Sequence, residues 1–483
     1  MPVQQTKPNL VFALEDQARF WPELYETLPS TKYFNVDFTN HYINGVMCSS
    51  SRANMYTGLP TWKHGIIDNV NTVYQKSLDT SLPTVGKELK KQGYKVAYIG
   101  KWHLGRGVIT ADMMEKYGFD FFQVWGDPEG VAHQGFEDDP MVTMTGKQWL
   151  KSFGKYYAEI GQPVAIFFNI VQPHDIAFYN SPGSRGIMSM GAPEGAPQYK
   201  VKLPAKMMKS SMIDKKSMIP AHENYKIVED IAMGPVIDYK DFQTYYANCL
   251  REGHKHFSEF LEMVTATFDM KNTYMMQTSD HGDHAGSWGL HGKGNTSFEE
   301  NIHVPFRMWD PTVKGKKTMS GLTNHLQILP SFVDLAKGKK PSVYTPLECS
   351  VFNSQMYIFL AETSKRKETE QVIRHVASLS KKVKYAPLDK VTVIDQTKKG
   401  HHLSVTFPPD DKGKVKKIGV YFSPATVKTH GDLVKAIKDK DVDWETLHGD
   451  YKKETQKKTS EKEKKEFLKM ISKHAGDYVT VKV

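Results

Sequence analysis

Six short polar clusters in this 483-residue chain carry side chains that could do chemistry. In Cys48-Ser49-Ser50-Ser51-Arg52 a thiol stands four residues before a guanidinium, and Thr57-Gly58 follows. Asp16-Gln17, Lys101-Trp102-His103, Pro173-His174 and Asp280-His281 are four more, and Lys293 sits in Gly289-Leu290-His291-Gly292-Lys293-Gly294. A thiol supplies a nucleophile, guanidinium and ammonium groups bind oxyanions, and imidazoles move protons near neutral pH. Carboxylates and an amide are hard oxygen donors suited to Ca2+, Mg2+ or Mn2+, and an imidazole tilts a site toward a borderline metal. Each cluster taken singly also has a structural reading. A buried cysteine packs as a small hydrophobe, strand-end acids cap helices, and a lone histidine or lysine is satisfied in the core or solvated.

The elements that would position these residues separate the readings. Residues 9–14, 95–99, 164–170 and 273–277 are short apolar runs that predict buried strands. Leu82-Pro83-Thr84 opens a predicted helix over 85–92 that Gly93 closes, and apolar residues at helical spacing from Phe242 to Val264 predict a long one. Strands alternating with helices predict a parallel α/β sheet, in which ligands bind beyond the carboxyl ends of the strands. Asp16, Lys101 to His103, His174, and Asp280 to His281 all fall there. That convergence owes nothing to any resemblance, and it points to an enzyme.

The same residues carry a family resemblance. Cys48 to Gly58 resembles the first signature of the type I, formylglycine-dependent sulfatases, Cys-x-Pro-Ser-Arg followed by Thr-Gly. Gly93-Tyr94-Lys95-Val96-Ala97-Tyr98-Ile99-Gly100-Lys101-Trp102-His103-Leu104-Gly105 is similar to their second signature nearly throughout. Thr278-Ser279-Asp280-His281-Gly282-Asp283 and Glu299-Glu300-Asn301-Ile302-His303-Val304-Pro305 extend the likeness, which covers residues about 8 to 335. It implies the alkaline-phosphatase-like α/β sandwich, a large mixed, mostly parallel sheet flanked by helices, with a smaller α+β C-terminal domain. It also implies a sulfuric ester hydrolase in which a formylglycine-generating enzyme has oxidised Cys48 to an aldehyde whose hydrate attacks sulfur.

By that resemblance Arg52 holds the nucleophile, Lys101 contacts a sulfate oxygen, and His103 orients the hydrate and later takes its proton. His174 and Lys293 protonate the leaving oxygen. Asp16, Gln17, residue 48, Asp280 and His281 hold one divalent metal, Ca2+ by resemblance with Mn2+ or Mg2+ as alternatives. Asp-Gln in place of the commoner Asp-Asp is similar to the choline-sulfatase and phosphonate monoester hydrolase branches. Phosphonate monoester or phosphodiester hydrolysis is therefore the nearest alternative, and a non-catalytic sulfated-glycan-binding descendant is another. Ser50 departs from the family's proline, which bears on maturation of Cys48. Asp283, His284 and His291 adjoin the site without an assigned role.

Length and composition set the remaining bounds. The chain suffices for two domains, a catalytic unit over 1–340 and a smaller one with a basic surface over 341–483. In the latter, 365–380 and 454–474 read as helices, and 390–394, 402–407 and 416–422 as strands. Segments 127–145 and 182–225 read as loops that would select the substrate. Three cysteines exclude a disulfide framework. A net charge of +10 favours anionic partners such as a sulfated small molecule or carbohydrate, and no motif supports nucleic acid. No apolar run reaches membrane-spanning length. The N-terminal residues lack an apolar signal region, so the expected compartment is the cytoplasm if the chain is complete, and secreted or periplasmic if a signal peptide was removed. The sequon Asn295-Thr296-Ser297 is expected to stay unused so close to Lys293.

Overall fold

A computed structural model of the chain describes residues 5–347 except 73–74, 125–132, 180–202, 204–224, 228, 231–232 and 295–297. It also describes residues 393–397, 400–407, 416–422, 435, 443–448, 455–457, 460–462 and 464–465. The chain divides into two units, Met1–Asn71 with Lys76–Met218 and Val228–Ser354, and Thr72–Gln75 with Ile219–Ile227 and Gln355–Val483.

The first unit is built on a sheet of β1 (Asn9–Glu15), β2 (Val36–Phe38), β4 (Lys95–Gly100), β5 (Phe121–Gln123), β6 (Val164–Asn169), β7 (Thr273–Ser279), β8 (Phe306–Trp309) and β9 (Lys317–Met319). A short pair, β3 (His41–Tyr42) with β10 (Thr323–Asn324), stands apart. The main order is β5-β4-β6-β1-β7-β8-β2-β9, parallel from β5 through β7, with β8 antiparallel to both its neighbours. Along β1 the side chains alternate between two cores. Leu10, Phe12 and Leu14 enter one, and Val11 and Ala13 enter the other. Burial on both faces is why these strands are continuous apolar runs rather than polar–apolar alternations. Helices Cys48–Thr57, Val85–Lys91 and Ile328–Ala336 contribute to the first core, and Gln134–Trp149 and Tyr239–Thr267 to the second. The predicted mixed, mostly parallel sheet with helices on both faces is the one observed.

Two expectations are corrected. Residues 127–145 read as a loop, yet Gln134–Trp149 is a helix despite Pro140 in its interior. Val142, Trp149 and neighbouring Leu150 bury its apolar side, and Gly146 is small because a Cβ there would meet Phe260 at 2.9 Å and Phe168 at 3.0 Å. Packing overrides the poor local propensity. The charged helix expected over 454–474 begins instead in a strand, because residues 455–457 pair their backbone with residues 446–448.

The second unit contains an antiparallel meander of β11 (Val393–Thr397), β12 (Gly400–Phe407), β13 (Lys416–Phe422), β14 (Asp443–His448) and β15 (Thr455–Lys457). Two of its strands match expectation, a third lies a few residues later than 390–394, and β14 carries too little apolar content to announce itself. The expected helix over 365–380, nearly all of the 182–225 segment, the sequon and Cys349 lie outside the described residues. Among the described residues no helix is long and apolar enough to cross a membrane.

Candidate active site

Four neighbouring parallel strands deliver the predicted polar residues to one edge of the sheet. β1 runs into Asp16 and Gln17, β4 into Lys101 and His103, β6 into the turn that bears His174, and β7 into Asp280 and His281. Gly100 ends β4 at φ +99°, where a Cβ would lie 1.8 Å from the Asn169 carbonyl oxygen. Only glycine lets the two strands stay paired up to Lys101.

Cys48 opens the wholly buried helix Cys48–Thr57, and Arg52 lies one turn further on the same side. Gly58 stops the helix in the left-handed region at φ +64°, and Thr57 Oγ1 donates to the Ala53 carbonyl at 2.6 Å. That is the structural content of the Thr-Gly pair.

Arg52 ties the site together. Its Nε donates to Asp280 Oδ2 at 2.9 Å, one terminal nitrogen to Asp16 Oδ2 at 3.1 Å, and the other to the Lys101 carbonyl at 2.8 Å. Lys101 Nζ lies 2.9 Å from the same Asp16 oxygen. Cys48 Sγ sits 3.1 Å from His281 Nε2, 3.1 Å from Lys293 Nζ and 3.7 Å from Asp16 Oδ1. Lys293 Nζ also donates to Gln17 Oε1 at 2.8 Å. Cys48, Asp16, Gln17, Arg52, Lys101, Asp280, His281 and Lys293 thus form one connected network, buried except for the partly exposed Lys293. His103, at φ +55°, and His174 adjoin it through the charges of Lys101, Asp16 and Lys293.

The donor set fits a divalent cation. Asp16, Cys48, Asp280 and His281 are all buried, and one ligand atom from each lies within 4.8 Å of the others. Each carboxylate turns one oxygen to Arg52 and leaves Oδ1 toward Cys48 or His281. His281 Nδ1 donates to the Gly282 carbonyl at 2.9 Å, which leaves Nε2 as the ring nitrogen turned to the cluster.

The electrostatics follow from burial set against charge. Burial raises the Asp16 pKa, but Lys101, His174, Arg52 and Lys293 outweigh it and hold the group well below the usual carboxylate range. Burial and then Asp16 push the Cys48 thiol up, while Lys293, His281 and Lys101 pull harder and lower it. Burial, reinforced by Lys101, takes both His103 and His174 well below 6.5, so both are neutral at pH 7. Burial works against the Lys293 ammonium, but Cys48 and Asp16 raise its pKa and keep it charged.

Several supporting residues have no role assigned from the sequence. Asp283 Oδ2 accepts from Gln17 Nε2 at 2.6 Å, and Tyr246 OH donates to the Gln17 carbonyl at 2.8 Å. Ser51 Oγ meets His325 Nδ1 at 2.9 Å and also donates to the Asp280 carbonyl. Asp175 accepts from the Gly135 and Phe136 amides at 3.1 and 3.0 Å, and Asp139 from the Val171 and Gln172 amides at 2.6 and 2.9 Å. These two carboxylates clasp the His174 turn to helix Gln134–Trp149. No sequence signal marks the clasp, because the helix itself is hidden; Tyr246 falls in a helix face read as core, and Asp283 is marked only by its place after Asp-His-Gly.

A mostly parallel sheet with helices on both faces, whose strand ends converge on the Cys48 helix and a cluster of buried cation donors, has the alkaline-phosphatase-like fold. Within that class, the sulfatase family pattern matches residues 8–339, and the chain belongs to the sulfatase family. It is 24% identical over 360 residues to an ulvan-active sulfatase of Formosa agariphila, covering 70% of this chain and 63% of that protein. Its fold is similar to that of a 2-O GAG sulfatase, with a TM-score of 0.54 at 16% identity, over 97% of this chain and 90% of the other. A phosphonate monoester hydrolase from Silicibacter pomeroyi gives a TM-score of 0.50 at 15% identity, over 93% and 88%. The matches span between 34% and 63% of the length of four of the curated relatives.

Proposed function

We propose that the chain is a metal-dependent sulfatase that hydrolyses a sulfate monoester with residue 48 as formylglycine. The observation that carries this reading is the meeting, in a chain of the sulfatase family, of Cys48 with Lys293, His281 and the carboxylates that Arg52 bridges. Once oxidised, residue 48 presents an aldehyde hydrate whose hydroxyl attacks sulfur. A divalent cation held by Asp16, Gln17, residue 48, Asp280 and His281 would neutralise charge on the sulfuryl oxygens, Ca2+ being the proposed ion and Mn2+ or Mg2+ the alternatives.

The chain's own residues do the rest. Lys101 and Arg52 neutralise the buried carboxylates and place positive charge beside the sulfuryl group. Lys293, whose ammonium Asp16 and Asp280 still support once residue 48 is no longer a thiol, donates the proton that the departing alcohol oxygen needs. His174, held neutral, hydrogen-bonds that alcohol rather than protonating it. His103, also neutral, accepts the proton of the remaining hydroxyl as sulfate leaves and the aldehyde re-forms. Cys48 requires a formylglycine-generating enzyme as maturation partner. Ser50 lies in the first turn of its helix, where a backbone N–H has no partner within the helix, so serine and proline both suit the geometry.

The basic chain and its likeness to ulvan-active and GAG sulfatases support a sulfated carbohydrate as substrate. The test is the mass of the peptide bearing residue 48, from protein made in its own host, together with turnover by Cys48→Ala and His103→Ala. An aldehyde mass and loss of turnover in both folded variants are expected; undiminished turnover in either variant defeats the mechanism. Gln17 and His281 in the donor set favour a second reading, phosphonate monoester hydrolysis. Matched aryl sulfate and aryl phosphonate esters separate the two by their ratio of kcat/KM.

A further inference from the structure

We infer that Asp283 orients the Gln17 side-chain amide and thereby selects which of its ends faces the cation. The inference rests on the proposed reading of Gln17 as a metal ligand. A glutamine amide is ambiguous as a ligand, because its two ends have nearly the same shape and only the oxygen can bind a cation. Here the two ends meet partners of opposite kind. Nε2 donates to the Asp283 carboxylate at 2.6 Å, and Oε1 accepts from the Lys293 ammonium at 2.8 Å. A flipped amide would set its carbonyl against a carboxylate and its NH2 against an ammonium, so both contacts would turn repulsive. Gln17 and Asp283 are both fully buried, where no water relieves such a mismatch.

Asp283 is itself fixed. Its Oδ1 accepts from the Ala285 amide at 2.6 Å, which leaves Oδ2 as the face toward Gln17. Ala285 stands at φ +46°, a conformation uncommon for a residue with a Cβ, in the turn that brings this amide round. Gln17 is pinned from its backbone as well. Its N–H donates to Asp280 Oδ1 at 3.1 Å, its carbonyl accepts from Tyr246, and its φ is +74°. With the backbone held, amide rotation is the freedom that remains, and the carboxylate removes it. Asp283 is thus a positioning residue acting through Gln17.

The test measures Ca2+ affinity of the full chain by chelator competition, alongside the Ca2+-dependent rise in Tm. Asp283→Asn is expected to weaken Ca2+ binding about 10- to 100-fold, the usual cost of losing a partner behind a ligand. In a Gln17→Glu background there is no amide to orient, and the introduced carboxylate would face Asp283 as a like charge. There Asp283→Asn is expected to leave Ca2+ binding unchanged or tighten it. An equal loss in both backgrounds, or no loss beside native Gln17, overturns the inference. Gln17→Ala with unchanged Ca2+ affinity would instead overturn the ligand reading on which it rests. The Tm of each variant without Ca2+ separates a folding defect from lost orientation, and native-like values are expected.

Discussion

The ammonium of Lys293 lies 3.1 Å from the sulfur of Cys48, although 245 residues of chain separate them. Burial lowers the lysine's pKa, but Cys48, Asp16 and Asp280 outweigh it, so this ammonium beside residue 48 stays charged at neutral pH. The proposed transfer of its proton to the leaving oxygen has a kinetic signature. Lys293→Ala should lower kcat about 10²- to 10⁴-fold for an alkyl sulfate whose alcohol is a poor leaving group. The loss should shrink for aryl sulfates whose phenols leave without help. A loss independent of leaving-group pKa would mean that Lys293 serves binding, not proton transfer.

Arg52 carries a different burden. Its fork spans Asp16 and Asp280, and all three side chains are fully shielded from water. Removing one partner of such a buried pair leaves carboxylates without their counter-ion, at a cost of about 3–5 kcal/mol. Arg52→Ala should lose stability of that size in urea unfolding. Arg52→Lys should keep the charge and recover only part of it, because one ammonium cannot meet both carboxylates and the Lys101 carbonyl together. A loss below about 1 kcal/mol in Arg52→Ala would show the carboxylates to be satisfied elsewhere.

Asp175 gives a pH prediction. Burial, opposed by the Gly135 and Phe136 amides, moves its pKa from 3.8 up to about 6. The folded state therefore binds more protons than the unfolded state between those two values, and stability falls as pH rises through that window. A shift of this size corresponds to about 3 kcal/mol across the window. Asp175→Asn has no proton to lose there. The stability of the native chain minus that of the variant should therefore decline from about pH 4 to about pH 6 and then level off. Parallel stability curves for the two proteins would contradict the assignment.

Much of this site was legible in the sequence because its constraints are local. Cys48 and Arg52 sit one helical turn apart, Gly58 supplies a left-handed cap, and Gly100 permits a backbone approach no other residue allows. Each requirement is met by a residue type at a fixed spacing. The strands announced themselves because burial on both faces demands unbroken apolar runs, and their order of appearance with helices between them predicts a parallel sheet whose strand ends form the site.

What the sequence could not state depends on partners far apart in the chain. Helix Gln134–Trp149 holds Pro140 and Gly146 and is stabilised by a core that forms only once Phe168 and Phe260 are packed. The clasp of Asp139 and Asp175 exists only because that helix does. The neutral state of His103 and His174 and the charged state of Lys293 likewise follow from burial beside particular charges, not from residue type. By itself the sequence determined the spacing of Cys48 and Arg52, the polar residues that follow the strands and the class of sheet, since these rest on spacing and short-range backbone geometry. Tertiary structure alone decided which groups carry protons and which way Gln17 points, because desolvation and Coulomb interaction act through space.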